Sequence, residues 1–207
     1  MEDVLSVYHR PYDEKRPVVC LDEQPKSLRC VPRGSLPISP GNPKRVDYEY
    51  ERLGTCNVFL TVEPLGGIRR ARVTARRRAL DFAEQLRLLV DEDYPDAEKV
   101  VLVTDNLNIH TPACLYDLFK PKEAYRIAQK IEWHYTPEHG SWLNVAEIEL
   151  SILTRQCLSR QVSTIEQVRQ KVGAWQQDRN QDGAKVNWQF TTQDARIKLR
   201  RLYPTLA

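Results

Sequence analysis

The feature that most constrains the fold is a short aliphatic run that ends at a carboxylate. Residues 100–103 read Val-Val-Leu-Val, and Thr104 and Asp105 follow directly. Four consecutive aliphatic residues, three of them β-branched, predict a strand buried on both faces at the centre of an α/β sheet. The ends of such strands open into the crevice where α/β folds bind ligands, so Asp105 is a candidate functional residue. Asp105 and Asn106 could instead form only a polar turn or a helix cap.

The same pattern occurs earlier in the chain. Residues 17–23, Pro-Val-Val-Cys-Leu-Asp-Glu, predict another short apolar strand that ends in carboxylates, the first of which is Asp22. The polar residues 1–16, which include Pro11, predict a linker or arm and not a folded unit. Residues 24–43 contain five prolines and predict a long irregular excursion over the surface.

The rest of the pattern predicts an α/β domain with the element order β-β-β-α-β-α-β-α. Runs of β-branched and aromatic residues indicate strands, and apolar residues at helical spacing indicate helices. Beyond the two strands already described, we predict strands at residues 55–62, 68–74 and 131–135 and helices at residues 77–93, 111–119, 122–129 and 142–159. We assign residues 17–160 to the core and residues 161–207 to a helical C-terminal extension of the same domain.

The last core helix carries a third carboxylate of interest. Glu147 lies at the edge of an apolar stripe, about 60° from its centre, and Glu149 lies about 100° away on the other side. The stripe consists of Leu143, Ala146, Leu150, Leu153 and Cys157. A carboxylate directed along an apolar face needs a partner, because an isolated buried charge is costly. The partner of Glu147 is either one of the many arginines or a metal ion held jointly with Asp22 and Asp105.

Three carboxylates from two strand ends and one helix suit the chemistry of Mg²⁺. Hard cations prefer oxygen ligands, and two ions about 4 Å apart can activate an attacking oxygen and stabilise the leaving oxygen of a phosphodiester. We therefore expect two Mg²⁺ or Mn²⁺ ions at Asp22, Asp105 and Glu147.

Three sequence blocks resemble the catalytic blocks of bacterial insertion-sequence transposases of the mariner superfamily. The blocks are Leu21-Asp22-Glu23, Thr104-Asp105-Asn106-x-x-x-His110 and His139-Gly140-Ser141-Trp142-Leu143-Asn144-x-x-Glu147, and the likeness continues through Trp188-Gln189-Phe190-Thr191-Thr192. Asp105 and Glu147 lie 42 positions apart, which is longer than in mariner elements proper and fits the bacterial branch. The element order is similar to that of the ribonuclease H-like fold of DDE transposases and retroviral integrases.

The resemblance implies that Asp22, Asp105 and Glu147 form the catalytic triad of a metal-dependent DNA transposase. Such an enzyme cuts a DNA strand at the element end and joins the freed 3′ hydroxyl to target DNA. The family further implies a TA dinucleotide as target and a homo-oligomer on paired element ends. It usually has an N-terminal helix-turn-helix region, which we expect to be absent here, either because the gene is split or truncated or because another chain supplies that function.

Two alternatives to a transposase stay open at this stage. One is a ribonuclease H-like nuclease that cleaves DNA and never joins it. The other is a catalytically silent fragment that binds only DNA or another transposase chain.

Four polar residues near the triad are candidates for a supporting role. Asn106 and Asn144 could fix the carboxylates through hydrogen bonds. His110 and His139 belong to the family-like blocks and could orient a carboxylate or a phosphate. A lone histidine just after a strand is also commonly a structural group, so His110 has two interpretations.

A cluster of arginines supplies a candidate DNA-binding surface. Six arginines occur within ten positions, at the predicted hairpin and the start of the following helix: Arg69, Arg70, Arg72, Arg76, Arg77 and Arg78. Such a cluster can neutralise phosphates and give salt-dependent, sequence-independent binding, although a solvated charged face is the alternative. Because arginines at a helix start oppose the helix dipole, stability alone does not explain residues 76–78.

Composition places the chain among ordinary globular proteins. It is 41% hydrophobic and 29% charged, and no apolar run approaches the roughly 18 residues that span a bilayer. The first twenty residues lack the apolar block of a secretory signal, so we predict a cytoplasmic protein with no membrane partner. The five cysteines are widely spaced and include no C-x-x-C pair, which argues against a disulfide framework and a structural zinc site.

Overall fold

The aliphatic run at residues 100–104 lies inside a mixed five-stranded sheet, as predicted. The computed structural model describes residues 1–30, 35–36, 39–40, 42, 45–46, 49–107, 109–138 and 140–203. The strands are β1 (Val18–Cys30), β2 (Ser35–Leu36), β3 (Arg45–Val46), β4 (Glu51–Glu63), β5 (Ile68–Thr74), β6 (Val100–Thr104) and β7 (Ile131–Tyr135). The main sheet has the order β5-β4-β1-β6-β7, and β2 pairs with β3 separately.

Strand directions in the main sheet divide it into two halves. β1 pairs antiparallel with β4, and β4 pairs antiparallel with β5 through the predicted hairpin. On the other side, β1, β6 and β7 run parallel. The last matched pair between β1 and β6 is Cys20 with Val103. Asp22 and Asp105 each follow that pair by two residues, so the register brings the two carboxylates side by side at the point where β6 ends.

Helices cover both faces of the sheet. They are α1 (Glu2–Tyr8), α2 (Ala79–Leu88), α3 (Cys114–Leu118), α4 (Pro121–Lys130), α5 (Val145–Gln156), α6 (Ile165–Gln181) and α7 (Thr192–Lys198). One apolar cluster contains buried residues of α1, α5, α6 and α7, and a second contains buried residues of α2, α3 and α4. Successive residues of β6 alternate between the two clusters, because side chains along a strand point to opposite faces.

The N-terminal segment is not the unfolded linker or arm that the sequence predicts. Residues 2–8 form helix α1, in which Val4, Leu5 and Val7 are fully buried. The Tyr8 hydroxyl donates a hydrogen bond to the Leu143 carbonyl, just before α5. Apolar residues at helical spacing therefore outweigh the polar composition of residues 1–16, and α1 packs in the same cluster as α5.

Strand β1 is longer than predicted. The prolines after residue 24 suggest an irregular loop, yet β1 continues to Cys30 and pairs Pro25 with Asn57 of β4. Pairing with β6 ends at Cys20, so the outer half of β1 has one edge without a sheet partner among the described residues. Proline is tolerated where a strand edge is open, because its missing N–H removes no ladder bond there.

A buried ion pair fixes α5 against β5. Arg69, which is fully buried, donates two hydrogen bonds to Glu149, at 2.9 and 3.2 Å. Arg179 of α6 donates a third, at 2.9 Å. The prediction that Arg69 contacts DNA is therefore wrong, because its guanidinium is enclosed and already paired. Glu149 lies off the predicted apolar stripe of α5 but is buried, because α6 and β5 place arginines against that side of the helix.

We predict that Glu149→Ala lowers the free energy of unfolding by about 3–5 kcal/mol, because it leaves the Arg69 guanidinium buried without its main partner. Urea denaturation followed by circular dichroism measures this change. Glu84→Ala is the matched control: it removes the surface pair of Glu84 with Arg87 and should cost about 1 kcal/mol or less. A loss below 1 kcal/mol for Glu149→Ala would contradict the anchoring role.

Candidate active site

The three predicted catalytic carboxylates line one recess. Asp22, Asp105 and Glu147 border an open recess of about 310 Å³. Asp22 lies on β1, Asp105 directly follows β6, and Glu147 lies in the first turn of α5. The recess also includes Arg77, the one cation among its described lining residues. Carboxylates far apart in the sequence are thus gathered at one end of the parallel strands.

Asn144 joins β1 to the start of α5. Its side-chain oxygen accepts a hydrogen bond from the Ala146 N–H at 3.1 Å and so caps the helix. Its amide nitrogen donates to the Leu21 carbonyl at 3.2 Å and to the Asp22 carboxylate at 3.3 Å. One buried amide therefore sets both the first turn of α5 and the position of Asp22.

The recess concentrates negative charge. Burial, opposed by the hydrogen bond from the Glu23 N–H and assisted by the negative charges of Glu23, Asp105 and Glu147, raises the pKa of Asp22 to about 7. A carboxyl with so high a pKa lies where a positive charge would stabilise its ionised form. The electrostatics of the recess therefore favour a cation beside Asp22.

His110 lies behind Asp105. Its ring is fully buried and stacks on Phe82 with the ring centres 4.2 Å apart. Nδ1 contacts the Asp105 carboxylate, and Nε2 lies 3.0 Å from Oε2 of Glu23. Burial opposes the charged ring, yet the contacts with Asp105 and Glu23 raise the pKa of His110 to about 9. The imidazolium therefore bridges two carboxylates and orients Asp105.

Glu23 is a site residue that the sequence analysis missed. Its buried carboxylate lies against His110, and Arg77 approaches it at 3.3 Å. Adjacent residues of a strand face opposite sides of the sheet, so Asp22 points toward α5 and Glu23 toward α2. The signal was present in the block Leu21-Asp22-Glu23, where a second carboxylate on the opposite face needed a partner of its own.

Asn106 and His139, the other two predicted supporting residues, have no described hydrogen bond to the triad for different reasons. Asn106 is exposed and lines a neighbouring recess of about 450 Å³ that shares Asp105 and Ser141 with the first. No hydrogen bond from the Asn106 side chain to a triad carboxylate occurs among the described residues. His139 lies outside the described residues.

The remaining arginines of the predicted cluster differ in their surroundings. Arg70 and Arg72 pair with Asp93, at 3.2 and 2.6 Å. Arg78 precedes α2, and both its N–H and its guanidinium donate to Asp81, which offsets the positive charge at this helix start.

Arg76 and Arg77 are the arginines of the cluster best placed for a phosphate. Arg76 is exposed. Arg77 is half-exposed at the rim of the recess.

The donor set suits a divalent cation, although the side chains are not closed around one point. Carboxylate oxygens are the ligands that Mg²⁺ and Mn²⁺ prefer, and the raised pKa of Asp22 fits a place for positive charge. Within the described residues, no group of three or more His, Cys, Asp or Glu side chains is arranged to hold a metal ion as it stands. Asp105 is turned toward His110, so rotation of its carboxylate would be part of ion binding.

A mixed five-stranded sheet with helices on both faces gathers three carboxylates in one recess, and comparison with known families gives the class of protein. The family model described as DDE superfamily endonuclease matches residues 17–169, and the chain belongs to this family. The family predicted from the three sequence blocks is thereby confirmed. DDE endonucleases generally use divalent metal ions.

Comparison with solved structures confirms the fold. The crystal structure of the Mos1 strand transfer complex matches with a TM-score of 0.57 and 17% sequence identity. The match covers 83% of this chain and 50% of the Mos1 chain. No curated protein matches the sequence. Among the described residues, none of the helices has the length and hydropathy needed to cross a bilayer.

We predict that an NMR titration of the metal-free protein finds one histidine with a pKa of about 9, and that Asp105→Asn lowers this pKa by removing a carboxylate from Nδ1. Asp117→Asn, an exposed change on α3, should leave it unaltered.

The raised pKa of His110 also predicts how the stability of the folded protein changes with pH. The pKa of His110 in the folded protein exceeds the ordinary histidine value of 6.5, so the stabilisation from its charged contacts is complete below pH 6.5 and is lost as the pH rises through about 9. The loss should not exceed about 1.4 kcal/mol per pH unit for one proton. Titration of every histidine near pH 6.5 would contradict the bridge.

Proposed function

We propose that this chain is the catalytic domain of an insertion-sequence transposase, which cleaves a DNA strand and transfers its 3′ end to target DNA. The observation that carries the proposal is the convergence of Asp22, Asp105 and Glu147 on one recess, within the residues 17–169 that the DDE family model matches. Likeness to the Mos1 strand transfer complex supports the fold on which such a reaction would take place.

Asp22, Asp105 and Glu147 would hold two Mg²⁺ or Mn²⁺ ions. These ions supply charge that activates the attacking oxygen and stabilises the leaving oxygen of the phosphodiester. Asn144 donates a hydrogen bond to one oxygen of Asp22, and His110 contacts one oxygen of Asp105. The protein therefore contributes positioning and charge neutralisation, and the reaction needs no covalent bond to the enzyme.

Two successive phosphoryl transfers would take place in this recess. In the first, water forms a bond to the phosphorus at the element end, the bond to the 3′ oxygen breaks, and a free 3′ hydroxyl results. In the second, that hydroxyl attacks a phosphodiester of target DNA and displaces a second 3′ oxygen. Arg77 at the rim of the recess is placed to neutralise a non-bridging phosphate oxygen.

The partners in this proposal are the element ends and target DNA, the latter cut at a TA dinucleotide. We propose that the domain acts as a homo-oligomer on paired ends, with a helix-turn-helix domain on another chain to recognise them. A DNA substrate of this kind would place the protein in the cytoplasm.

We predict metal-dependent nicking of supercoiled plasmid by the purified chain with Mn²⁺ or Mg²⁺. Asp105→Ala should reduce the rate at least about hundredfold, because loss of a ligand removes several kcal/mol of charge stabilisation. Asp96→Ala, an exposed acidic residue on another part of the surface, is the matched control and should nick at the wild-type rate.

Pre-cut element ends distinguish a transposase from a nuclease that only cleaves. Joined product with target plasmid is expected from the wild type and not from Asp105→Ala. Nicking without any joined product would support the nuclease, and no metal-dependent nicking by the wild type would support a DNA-binding fragment.

Affinity for duplex DNA falls as the salt concentration rises, and a plot of log affinity against log salt concentration has a negative slope. We predict that Arg76→Ala makes this slope shallower by about 0.9, which is the effect of one lost phosphate contact. Fluorescence anisotropy measures this slope at salt concentrations from about 50 to about 200 mM, the range over which contacts to phosphates weaken. Lys122→Ala on α4 is the control, with an unchanged slope expected. Equal slopes for all three proteins would remove Arg76 from the DNA-binding surface.

A further inference from the structure

A second groove extends from the catalytic recess along the outer half of β1. It has a volume of about 270 Å³ and shares the lining residue Gln24 with the recess, so the two cavities adjoin at this residue. The outer half of β1 forms one side, and the end of α5 with the segment after it forms the other. We call it the β1 groove and define it by Gln24, Lys26, Arg29, Leu153, Arg160 and Gln161.

The charge changes sign between the two cavities. The recess is lined by four carboxylates, Asp22, Glu23, Asp105 and Glu147, with one arginine. Among the described residues that line the β1 groove, Lys26, Arg29 and Arg160 are basic and none is acidic. A polyanion could therefore be neutralised along the groove by side chains, while the recess needs a cation of its own.

The basic groups of the β1 groove lack carboxylate partners in the described part of the chain. The Arg29 guanidinium lies over the ring of Tyr50, 4.5 Å from its centre, and its buried Nε has no hydrogen-bond partner among the described residues. Lys26 donates to the Leu158 carbonyl, and its pKa is lowered by burial and then by the charge of Arg29. Positive charges are thus crowded together without compensation, which is typical of an anion site.

The sheet leaves room for the groove. β1 pairs with β6 only as far as Cys20, so no strand of the described residues lies beside residues 24–28 on that edge. At the far end, the Arg29 N–H donates to the Val162 carbonyl at 2.8 Å and closes the edge. The groove is therefore bounded by the catalytic recess at one end and by this hydrogen bond at the other.

We propose that the β1 groove binds the phosphates of the DNA strand that passes through the catalytic recess. This inference rests on the proposed function, and it assigns a path to the strand: the phosphodiester at the carboxylates is followed by neighbouring phosphates along Lys26, Arg29 and Arg160. The contacts are to backbone phosphates, so binding in the groove is independent of sequence.

Charge reversal at Arg160 tests the path. Arg160 is exposed, so Arg160→Glu should leave thermal unfolding unchanged. With Ca²⁺ in place of Mg²⁺ to prevent cleavage, its affinity for duplex DNA should fall about tenfold or more, because a phosphate contact is replaced by repulsion. Lys122→Glu makes the same charge change on α4 and should bind as the wild type does. Equal affinities of Arg160→Glu and the wild type would overturn the proposal.

A cross-linking experiment locates the strand directly. A photoreactive benzoylphenylalanine at Gln161, in the groove, should cross-link to DNA, and the same residue at the exposed Tyr125 of α4 should not. Adding Arg160→Glu should remove the cross-link at position 161. Equal yields at positions 161 and 125 would contradict a strand in the β1 groove.

Failure of the groove and failure of the proposed function give different results. Metal-dependent nicking by the wild type together with no cross-link at position 161 would overturn the proposal that DNA binds in the β1 groove, and the proposed catalytic function would stand. A cross-link at position 161 that Arg160→Glu removes, in a protein that never nicks DNA, supports the groove and overturns the catalytic function. A wild-type protein that binds no DNA in Ca²⁺ overturns the groove.

Discussion

The register between β1 and β6 is the constraint on which the site depends. Val18 to Cys20 pair with Val101 to Val103, and only this register brings Asp22 and Asp105 together. A shift of one residue would turn each side chain of β1 to the other face of the sheet. Asp22 would then face α2 and Glu23 would face α5. The buried aliphatic residues of both strands prevent such a shift, so the apolar core itself specifies the positions of the carboxylates.

Two adjacent carboxylates on β1 serve the two sides of the sheet. Asp22 is held by Asn144 near the start of α5, and Glu23 is held by His110 near Phe82 of α2. His110 then connects Glu23 to Asp105. The recess is therefore supported from both helical layers. A substitution in either layer would change the positions of the carboxylates through these hydrogen bonds or ion pairs, without itself touching the substrate.

Local sequence patterns predicted most of the fold and singled out the three carboxylates that line the recess. The five strands of the main sheet, the hairpin after β4 and the helices of the core follow from period and turn chemistry. The pairing of Arg69 with Glu149 could not be predicted, because the partners are 80 positions apart and no local pattern reveals a buried guanidinium. Helix α1 was hidden by its polar surroundings, although the spacing of Val4, Leu5 and Tyr8 carried the signal. Likewise, prolines concealed the outer half of β1, since sequence alone does not show that a strand edge is open.

The ion pair of Glu149 also fixes the rotation of α5 about its own axis. Glu147 and Glu149 are two positions apart and so project in directions that differ by about 200° around the helix axis. Arg69 and Arg179 donate hydrogen bonds to Glu149 on one side of the helix, and Asn144 caps its first turn. Any torsional motion of α5 would have to break charged hydrogen bonds in a dry environment. The direction in which the Glu147 side chain leaves the helix is therefore fixed before any ligand arrives, and adjustment in the recess is left to the side chains of Glu147 and Asp105.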